Sequence, residues 1–395
     1  MPEITVRKLT GQEMLDVTFP LLIYSFLPSP PLPNKDEWLD KFMQPREGIT
    51  CLALFEDGIP VTTAASREMT QQVRGALFGM SAIWGVASKP EVRRKGYAKQ
   101  VMAQLLAILR EAGQPLSTLY PFRESFYERQ GYVTFPAPQV ARFTPSGLLP
   151  LLEKDLGGQV ELSLIGEAYD DYHNYLHRIQ QQTPCMAVPS VSYKPRVERH
   201  PSWLAQAKVD GQVAGMMLYK LTGNAMYEFT MQTTRFHYST NRGKYLLLQW
   251  IARHVDQAKD VELSLSPSER PTTWLPDLQV RTEFNDHVPM GRVVDVAKIG
   301  GMQVGSGRFT ARISDPLCPW NEGIWQFESM DGRLKVSQAK KADCELKIQG
   351  LSALVYGTND PGEFEIRGWG SPSPQIQATM RSMFPPLLPY LGEIF

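Results

Sequence analysis

Residues Ser81 to Tyr132 read SAIWGVASKPEVRRKGYAKQVMAQLLAILREAGQPLSTLYPFRESFYERQGY, and this stretch decides the fold. It begins with an apolar run that ends at Ser88, crosses a polar turn that contains Pro90, and enters a strongly periodic segment. Apolar residues at spacings of three and four predict a helix with one buried face. These residues are Val101, Leu105, Ile108 and Leu109. We therefore expect a strand, a loop and a helix whose N-terminal end is held against a sheet.

The loop before this helix is cationic, and its six residues are Arg93, Arg94, Lys95, Gly96, Tyr97 and Ala98. The first turn of a helix presents unpaired backbone N–H groups and the positive end of the helix dipole, which suit a phosphate or pyrophosphate. Gly96 has no side chain, so a ligand can approach the backbone, and the small side chain of Ala98 leaves the next turn unobstructed. The three basic side chains add positive charge. The loop lacks the Gly-Lys-Ser/Thr of a P-loop and the further glycines of a dinucleotide fingerprint. The alternative is a solvated basic helix cap.

An Arg-x-x-Gly-x-Ala turn between a strand and a helix resembles the acetyl-CoA pyrophosphate loop of the GNAT acyltransferases. A second predicted strand follows over Leu116 to Leu119, and the stretch then ends with Phe126-Tyr127-Glu-Arg-Gln-Gly131-Tyr132. This Phe-Tyr-x-x-x-Gly-Tyr pattern resembles the last segment of GNAT domains. The resemblance implies that Tyr127 lies beside the acetyl thioester. It also implies CoA contacts at Val86, Ser88, Arg93, Arg94, Lys95, Gly96, Tyr97 and Ala98.

The residues before Ser81 complete the same domain. A strand from Ile4, a helix over Glu13 to Phe26, a second amphipathic turn around Trp38 and a hairpin at Asp57-Gly58 precede the central strand. This order of elements resembles that of GNAT domains, in which the helix-loop-helix region borders the acceptor pocket. Phe26 and Trp38 are therefore expected acceptor contacts, with ordinary core positions as the alternative.

The middle third repeats parts of the first. A second Asp-Gly hairpin is predicted at Asp210-Gly211, and Asn241-Arg-Gly-Lys-Tyr245 opens a later helix. Here Gly243 is followed by Lys244 and the bulky Tyr245, whose side chains would obstruct a turn that binds pyrophosphate. We expect a degenerate GNAT-like domain without CoA of its own, and an active second copy is the alternative.

The last third is a strand-rich run followed by helices, with a third Asp-Gly turn at Asp331-Gly332. It resembles the sterol-carrier-protein-like domain at the C-terminus of Eis-type (enhanced intracellular survival) GNAT N-acetyltransferases. Together with the preceding domains, the resemblance to this family covers essentially the whole chain. We expect the third domain to serve packing and assembly, and lipid transfer is the alternative.

The residues from Pro385 to Phe395 are apolar and include three prolines. Chain termini are normally frayed, so this composition predicts a segment that docks. The resemblance to Eis-type enzymes implies that the terminal α-carboxylate, here that of Phe395, acts as general base and that Tyr127 acts as general acid.

Composition excludes several classes of function. The chain of 395 residues is 43% hydrophobic and carries 41 basic and 41 acidic residues, so no overall positive field recruits nucleic acid or an anionic membrane. Its N-terminus lacks an apolar signal core, and no apolar run is long enough to span a bilayer. The widely separated cysteines indicate buried thiols of a reducing compartment. We expect a cytoplasmic protein.

No metal site is expected from the sequence. The four cysteines, Cys51, Cys185, Cys318 and Cys344, have no paired spacing. His173 and His177 stand four residues apart on a predicted helix, but no Glu follows the first as a zinc protease requires. A structural role is the better interpretation of both histidines.

The sequence thus predicts an α/β (α+β) chain of three domains. Residues 1–145 are the catalytic GNAT domain, residues 146–285 the degenerate GNAT-like domain, and residues 286–395 the sterol-carrier-like domain. The predicted function is acetyl-CoA-dependent N-acetylation of a small-molecule amine of the aminoglycoside or polyamine kind. The alternatives are a lysine-containing peptide or protein as acceptor, and a CoA-sensing or lipid-carrying assembly without enzymatic activity. The resemblance also suggests a homo-oligomer, such as a hexamer built from trimers.

An amine attacks acetyl-CoA only when it is neutral, so the site must accept its proton, and a carboxylate does so best when burial raises its pKa. The α-carboxylate of Phe395 is the candidate base, and Glu124 and Glu128 are the acidic alternatives. The Tyr127 hydroxyl would protonate the departing thiolate, while the N–H of Val86 would polarise the thioester oxygen. No Cys or Ser stands in a nucleophile motif, so direct transfer is expected.

Overall fold

The computed structural model describes residues 2–42, 47–225 and 228–395, with the side chains of residues 40–42 left aside. The chain clusters into two compact units. The first comprises Met1–Phe135, Pro184–Val191 and Pro289–Phe395, and the second comprises Pro136–Thr183 and Ser192–Val288. The boundaries predicted at residues 145 and 285 stay a prediction. Among the described residues no helix combines the length and the apolar character that a membrane span requires.

The elements of the N-terminal segment follow the predicted order. They are β1 Ile4–Leu9, α1 Gly11–Phe26, α2 Lys35–Phe42, β2 Ile49–Glu56, β3 Ile59–Val73, β4 Ala76–Ser88, α3 Tyr97–Glu111, β5 Leu116–Leu119, α4 Glu124–Glu128 and β6 Val133–Thr134. The predicted helix after the cationic loop is confirmed as α3, whose buried face includes Val101, Leu105 and Leu109.

The elements of the middle segment are β7 Gln139–Phe143, β8 Gln159–Leu164, α5 Tyr169–Gln180, β9 Ala187–Pro189, α6 Lys194–Arg199, β10 Trp203–Val209, β11 Gln212–Thr222, β12 Phe229–Tyr238, α7 Asn241–Ala252, β13 Ala258–Leu265 and β14 Arg281–Phe284. All of them except β9 belong to the second unit. Their sheet has the strand order β14-β7-β13-β12-β11-β10-β8, in which only β12 and β13 are parallel among the described pairs. The helix α7 connects these two parallel strands.

The C-terminal segment contains β15 Met290–Val293, β16 Arg308–Ser314, β17 Gly323–Met330, β18 Arg333–Gln338, β19 Cys344–Lys347, α8 Ile348–Tyr356, α9 Phe364–Arg367 and α10 Pro374–Met383. A four-stranded sheet of order β18-β17-β16-β19 forms its centre. The interior of this region is filled by side chains. The Phe309 and Phe327 rings stack at 5.1 Å, and Phe384 meets Phe309 edge-on at 6.4 Å.

The three predicted Asp-Gly turns are confirmed as two-residue hairpin loops. Asp57-Gly58, Asp210-Gly211 and Asp331-Gly332 connect β2 to β3, β10 to β11 and β17 to β18. Both residues of every turn have positive φ, between 51° and 76°. Asp and Gly tolerate this conformation, and such turns match the twist of the strands that they join. The turn chemistry therefore sets the register of all three hairpins.

One strand of the main sheet comes from an unexpected part of the chain. The sheet has the order β1-β2-β3-β4-β5-β15-β6, and β9 pairs separately with β3. Met290–Val293 thus lies between β5 and β6, antiparallel to both, although it is about 160 residues later in the sequence than β6. The sequence places this run in the third predicted domain, residues 286–395. The C-terminal segment instead completes the sheet that carries α3 and α4.

A fully buried ion pair joins the two segments behind this strand. The Arg292 side chain is 0% exposed, and its Nη2 donates to Asp315 Oδ2 at 2.6 Å. Its Nη1 also donates to the carbonyl oxygen of Gln130, the second residue after α4. Asn321 Nδ2 donates to the same Asp315 oxygen at 2.9 Å. Each group of this network therefore has a partner, as buried charges require.

We expect Arg292→Met to lower the free energy of unfolding by about 3–5 kcal/mol, because it leaves the Asp315 carboxylate buried without its cation. Removing both charges in Arg292→Met/Asp315→Asn should cost less than the single change. Urea titrations would measure both free energies. Arg312→Met is the matched control, since Arg312 pairs with Glu345 at 4.0 Å on the surface, and it should cost at most about 1 kcal/mol. If Arg292→Met and Arg312→Met lower the free energy of unfolding equally, the buried ion pair does not stabilise the fold more than a surface pair does.

Candidate active site

The strands β4 and β5 pair over only part of their length. Parallel pairing runs from Met80 with Leu116 to Ile83 with Leu119, where β5 ends, while β4 continues to Ser88. Between Trp84 and Ala87, β4 also has one residue more than its partner β3, and Gly85 takes a φ of +62°. Such a bulge bends a strand and interrupts its ladder. A gap therefore opens beside the last residues of β4, which include Val86 and Ser88.

The loop after β4 leads into α3, a helix without a side-chain cap at its N-terminus. Gly96 is the N-cap of α3 with a φ of +86°, and no side chain in the described part of the chain caps this turn. A Cβ atom on Gly96 would meet no heavy atom within 4 Å. The first N–H groups of α3, with Ala98 in the same turn, therefore border open space. An uncapped helix N-terminus of this kind can bind an anion.

The basic residues of this loop divide into two groups. Lys95 Nζ lies 3.0 Å from Glu56 Oε1, and the buried Tyr97 donates its hydroxyl to the same oxygen at 2.7 Å. These hydrogen bonds, first from Tyr97 and then from Lys95, lower the pKa of the Glu56 carboxyl, which keeps it charged. Arg93 donates to the Ser88 carbonyl oxygen at 3.4 Å, and Arg94 forms no ion pair with any described residue. Lys95 and Tyr97 thus anchor the loop to β2, whereas the two arginines remain available for an anion.

The corresponding turn in the second unit is closed. The N–H of Gly243 donates to the Thr240 hydroxyl at 3.1 Å, which caps α7. A Cβ atom on Gly243 would lie 2.3 Å from the Ala214 carbonyl oxygen, so the turn is packed tightly against the neighbouring strand. Lys244 is buried and pairs with Glu269 at 2.8 Å. This contrast with α3 supports the expectation of a GNAT-like domain without CoA, which stays a prediction.

Tyr127 lies on α4 among other aromatic rings. Its ring meets Phe126 at 5.0 Å and Tyr132 at 5.9 Å, both edge to face, and only 3% of the residue is exposed. Burial raises the pKa of the Tyr127 hydroxyl well above its ordinary value, so this group stays protonated at neutral pH. The Tyr132 hydroxyl is bound to Ser117 Oγ at 2.8 Å, whereas that of Tyr127 has no hydrogen bond to a described residue. Of the two hydroxyls, that of Tyr127 is free to contact a ligand.

The C-terminal segment is docked, as its composition predicts. The Leu391 carbonyl oxygen accepts from the N–H of Ala187 at 2.9 Å, and the Glu393 carbonyl oxygen accepts from the Tyr120 hydroxyl at 2.8 Å. The Phe395 ring contacts the ring of Tyr120 at 5.4 Å between centroids. Because Tyr120 directly follows β5, these contacts hold the terminal residues at the end of the strand from which β4 separates.

The two acidic alternatives near Tyr127 are engaged elsewhere. Glu124 Oε2 accepts from the Thr134 hydroxyl at 2.7 Å, and Glu128 Oε1 accepts from Trp369 Nε1 at 3.2 Å. Both carboxylates therefore have structural partners. In the residues that the structure describes, no group of three or more His, Cys, Asp and Glu side chains is placed to hold a metal ion.

The predicted acceptor contacts belong to α1 and α2. Phe26 ends α1 and is 52% exposed, whereas Trp38 is partly buried and meets Phe19 edge-on at 5.7 Å. Trp38 and Trp84 pack against one apolar cluster with Ala87 of β4. A groove of about 270 Å³ lies between α1 and the end of β4, and its lining includes Tyr24 and Ser88.

Three residues of this region are not predicted to be functional from the sequence. Glu56 anchors the cationic loop, Tyr120 holds the terminal segment, and Trp84 places a buried indole N–H without a hydrogen-bond partner beside the bulge. Only Trp84 has a local signal beside it, because the glycine that follows it inside the strand, Gly85, is typical of a bulge. The other two act through contacts with residues distant in the sequence.

Comparison with known proteins identifies two domains. Residues 5–135 match the family model of the acetyltransferase (GNAT) domain, and residues 299–392 match that of the sterol carrier protein domain. No curated protein sequence matches the chain. The match confirms both domain types in the order that the sequence predicts.

Solved structures share the fold over the full length. A GCN5-related N-acetyltransferase from Anabaena variabilis has a TM-score of 0.82 at 16% identity, and Eis1 from Mycobacterium abscessus has a TM-score of 0.75 at 18% identity. A protein of unknown function from Enterococcus faecalis, described as a probable N-acyltransferase, has a TM-score of 0.80 at 19% identity. In each comparison 100% of both chains is covered. At these identities the likeness establishes the fold, and it confirms the predicted α/β class.

We expect Gly96→Val to raise the Kd of CoA by about tenfold or more, because a branched side chain would fill the open space at the N-terminus of α3. Gly58→Val is the matched control. Gly58 also has a positive φ, of +76°, and open space around its Cβ position, so the backbone strain is similar. Calorimetric titration with CoA would compare both variants with the unchanged protein. A similar loss of affinity in both would contradict a ligand at α3.

Proposed function

The chain joins a GNAT acetyltransferase domain to a sterol carrier protein domain, and from this premise we propose that it transfers the acetyl group of acetyl-CoA directly to an amine of a small, aminoglycoside- or polyamine-like molecule. The observation that carries the proposal is the uncapped, open N-terminus of α3 beside the gap between β4 and β5. The pyrophosphate of CoA would bind the N–H groups of α3 with Arg93 and Arg94, and the pantetheine arm would enter the gap.

A backbone N–H beside the gap would also polarise the thioester. The N–H of Val86 lies within the bulge of β4, in the part of the strand that β5 does not cover. A backbone N–H held there would donate to the thioester oxygen and stabilise the negative charge that develops in the tetrahedral intermediate. On its other side β4 is paired with β3 up to Ser88, and this pairing would hold the donor in place.

Proton transfers complete the reaction. The α-carboxylate of Phe395 would accept the proton of the amine as the C–N bond forms. When the C–S bond breaks, the Tyr127 hydroxyl would donate its proton to the sulfur, and the proton held by the carboxylate restores Tyr127 through solvent. The reaction thus moves one proton from nitrogen to sulfur overall. The raised pKa of Tyr127 supports this role, because the hydroxyl keeps its proton until the thiolate departs.

Aromatic side chains favour a cationic acceptor. Tyr24 is 59% exposed and Phe26 is 52% exposed at the end of α1. Aromatic faces attract ammonium groups by about 0.5–1 kcal/mol at exposed sites. A polyamine or aminoglycoside carries several such groups, and its other amines could stay charged while one is acetylated. A lysine side chain has one, which makes it the second candidate acceptor.

The filled interior of the C-terminal region argues for a role in packing rather than in lipid transport. Phe309, Phe327 and Phe384 occupy its centre, and each is less than 5% exposed. The homo-oligomer and the cytoplasmic location expected from the sequence stay predictions.

The direct test is release of free CoA thiol from acetyl-CoA in the presence of polyamines, aminoglycosides and lysine peptides. Turnover with small polyamines or aminoglycosides supports the proposal. Turnover with peptides alone would show that the acceptor is a peptide lysine and not a small molecule. CoA binding without turnover on any amine would favour the CoA-sensing or lipid-carrying alternative.

We expect Tyr127→Phe to lower kcat by about 10²–10⁴-fold while the Kd of acetyl-CoA changes little, because the hydroxyl acts on the departing sulfur. Tyr132→Phe removes a hydroxyl from the neighbouring ring and serves as the control, with kcat largely retained. Steady-state kinetics and calorimetry would separate the two effects. Full activity of Tyr127→Phe would remove this residue from the mechanism.

Addition of two glycines after Phe395 should lower kcat sharply with an almost unchanged Kd of CoA, since the carboxylate would move away from the end of β5. The same two glycines added before Met1 should leave kcat unchanged. If both extended proteins turn over equally fast, the α-carboxylate is not the base.

A further inference from the structure

One two-residue turn of the main sheet has an unusual sequence. Arg74 and Gly75 connect β3 to β4, and both have positive φ, of 48° and 71°. This is the backbone conformation of the three Asp-Gly turns, but arginine adopts it far less readily than aspartate does. An arginine held in an unfavourable conformation indicates that the surrounding structure requires its side chain there.

The Arg74 side chain is buried and binds backbone carbonyl groups. Only 7% of the residue is exposed. Its Nε donates to the Val355 carbonyl oxygen at 2.8 Å. Its Nη2 donates to the carbonyl oxygens of Leu354 at 2.8 Å and of Pro385 at 2.9 Å. Leu354 and Val355 belong to the last turn of α8, the end at which the helix dipole is negative, so this end attracts a cation.

These dipoles take the place of a counterion. Arg74 forms no ion pair with a residue that the structure describes. Burial lowers the pKa of its guanidinium to about 10, so the group remains charged at neutral pH. The Cζ atom also lies 5.3 Å from the centre of the Phe384 ring. A buried charge requires such partners, and one of them is the carbonyl group of Pro385.

Pro385 begins the terminal segment, which ends at Phe395. Three of the first five residues of this segment are prolines, and each proline fixes φ, so a shift at one end is transmitted along the segment. The Leu387 N–H donates to the carbonyl oxygen of Gly357, the residue directly after α8, at 3.2 Å. Arg74 and Gly357 therefore hold the beginning of the segment against the end of α8 and fix the direction in which it continues.

We propose that Arg74 is a positioning residue for the acetyl transfer: it fixes the terminal segment and thereby keeps the α-carboxylate of Phe395 at the end of β5. This inference rests on the proposed function, in which that carboxylate accepts the proton of the amine. Its consequence is that a turn of the acetyltransferase domain and a helix of the sterol carrier protein domain together position the base.

We expect Arg74→Met to lower kcat about 10–100-fold while the Kd of acetyl-CoA changes less than about twofold, because the base moves relative to the bound amine. Arg74→Lys keeps the charge but can bind fewer carbonyl groups, so its kcat should lie between those of the unchanged protein and Arg74→Met. Arg110→Met is the control and should retain kcat. Arg110 also reaches the C-terminal part of the chain, but through Asp295 at 2.9 Å.

A second pair of variants displaces the terminal segment without changing Arg74. A Cβ atom on Gly357 would lie 2.5 Å from the backbone nitrogen of Leu387, so Gly357→Ala should move the segment and lower kcat as Arg74→Met does. Gly368→Ala is the matched control and should retain kcat. Gly368 also follows a helix, α9, with a φ of +65° against +69° at Gly357, and a Cβ atom there would meet Lys347 Nζ at an ordinary 3.9 Å.

The dependence on the carboxylate distinguishes positioning from a general loss of stability. In the protein with two glycines added after Phe395, Arg74→Met should lower kcat no further, because the base is already displaced. A full additional loss would overturn the inference, since Arg74 would then act in another way. An unchanged kcat of Arg74→Met, or equal losses in Arg74→Met and Arg110→Met, would overturn it as well.

A measurement without acetyl transfer separates this inference from the proposed function. Carboxypeptidase A should release Phe395 about tenfold or more faster from Arg74→Met than from the unchanged protein, because the chain end leaves its docked position more often. Equal release rates would overturn the inference even where an amine is acetylated. If the unchanged protein acetylates no amine, the proposed function fails, while faster release would still show that Arg74 holds the terminal segment.

Discussion

The buried Arg292 guanidinium constrains the rest of the first unit. A charge without solvent must be surrounded by acceptors, and these come from Asp315, from the carbonyl oxygen of Gln130 and from that of Val293. Gln130 directly follows the turn at the end of α4, so the helix that carries Tyr127 is attached to the C-terminal segment through this cation. The orientation of the proposed general acid therefore depends on residues about 165 to 190 positions later in the chain.

The two units share one supersecondary arrangement, but the N-terminus of its helix is open in the first unit and capped in the second. In both, an Asp-Gly hairpin is followed by a strand, a helix and a parallel strand, as in β4-α3-β5 and β12-α7-β13. The difference lies in a few atoms at the N-terminus of the helix. Gly96 leaves that end of α3 open, whereas the Thr240 hydroxyl and the close approach of Gly243 to Ala214 close that of α7. A capped helix gains stability at its first turn and loses the ability to bind an anion there.

Local chemistry could be predicted from the sequence, and contacts between distant residues could not. The Asp-Gly hairpins and the periodic face of α3 follow from turn and helix preferences within a few residues, and the structure contains them. The insertion of Met290–Val293 between β5 and β6 has no such signal, because a strand of only four residues can pair with any matching edge. The cationic loop was also only partly predictable. Its spacing indicates an anion site, but the engagement of Lys95 by Glu56 depends on how β2 lies beside the loop.

The position of β15 bears on how the chain is made. Until Met290–Val293 has emerged from the ribosome, β5 and β6 lack the strand between them, and their edges expose unpaired N–H and C=O groups. At a synthesis rate of about 5–20 residues per second, the nascent chain remains in this state for roughly ten to thirty seconds after β6 is complete. Unpaired edges of this kind promote aggregation and attract chaperones. Biosynthesis of this protein thus carries a delay that is built into the strand order of its main sheet.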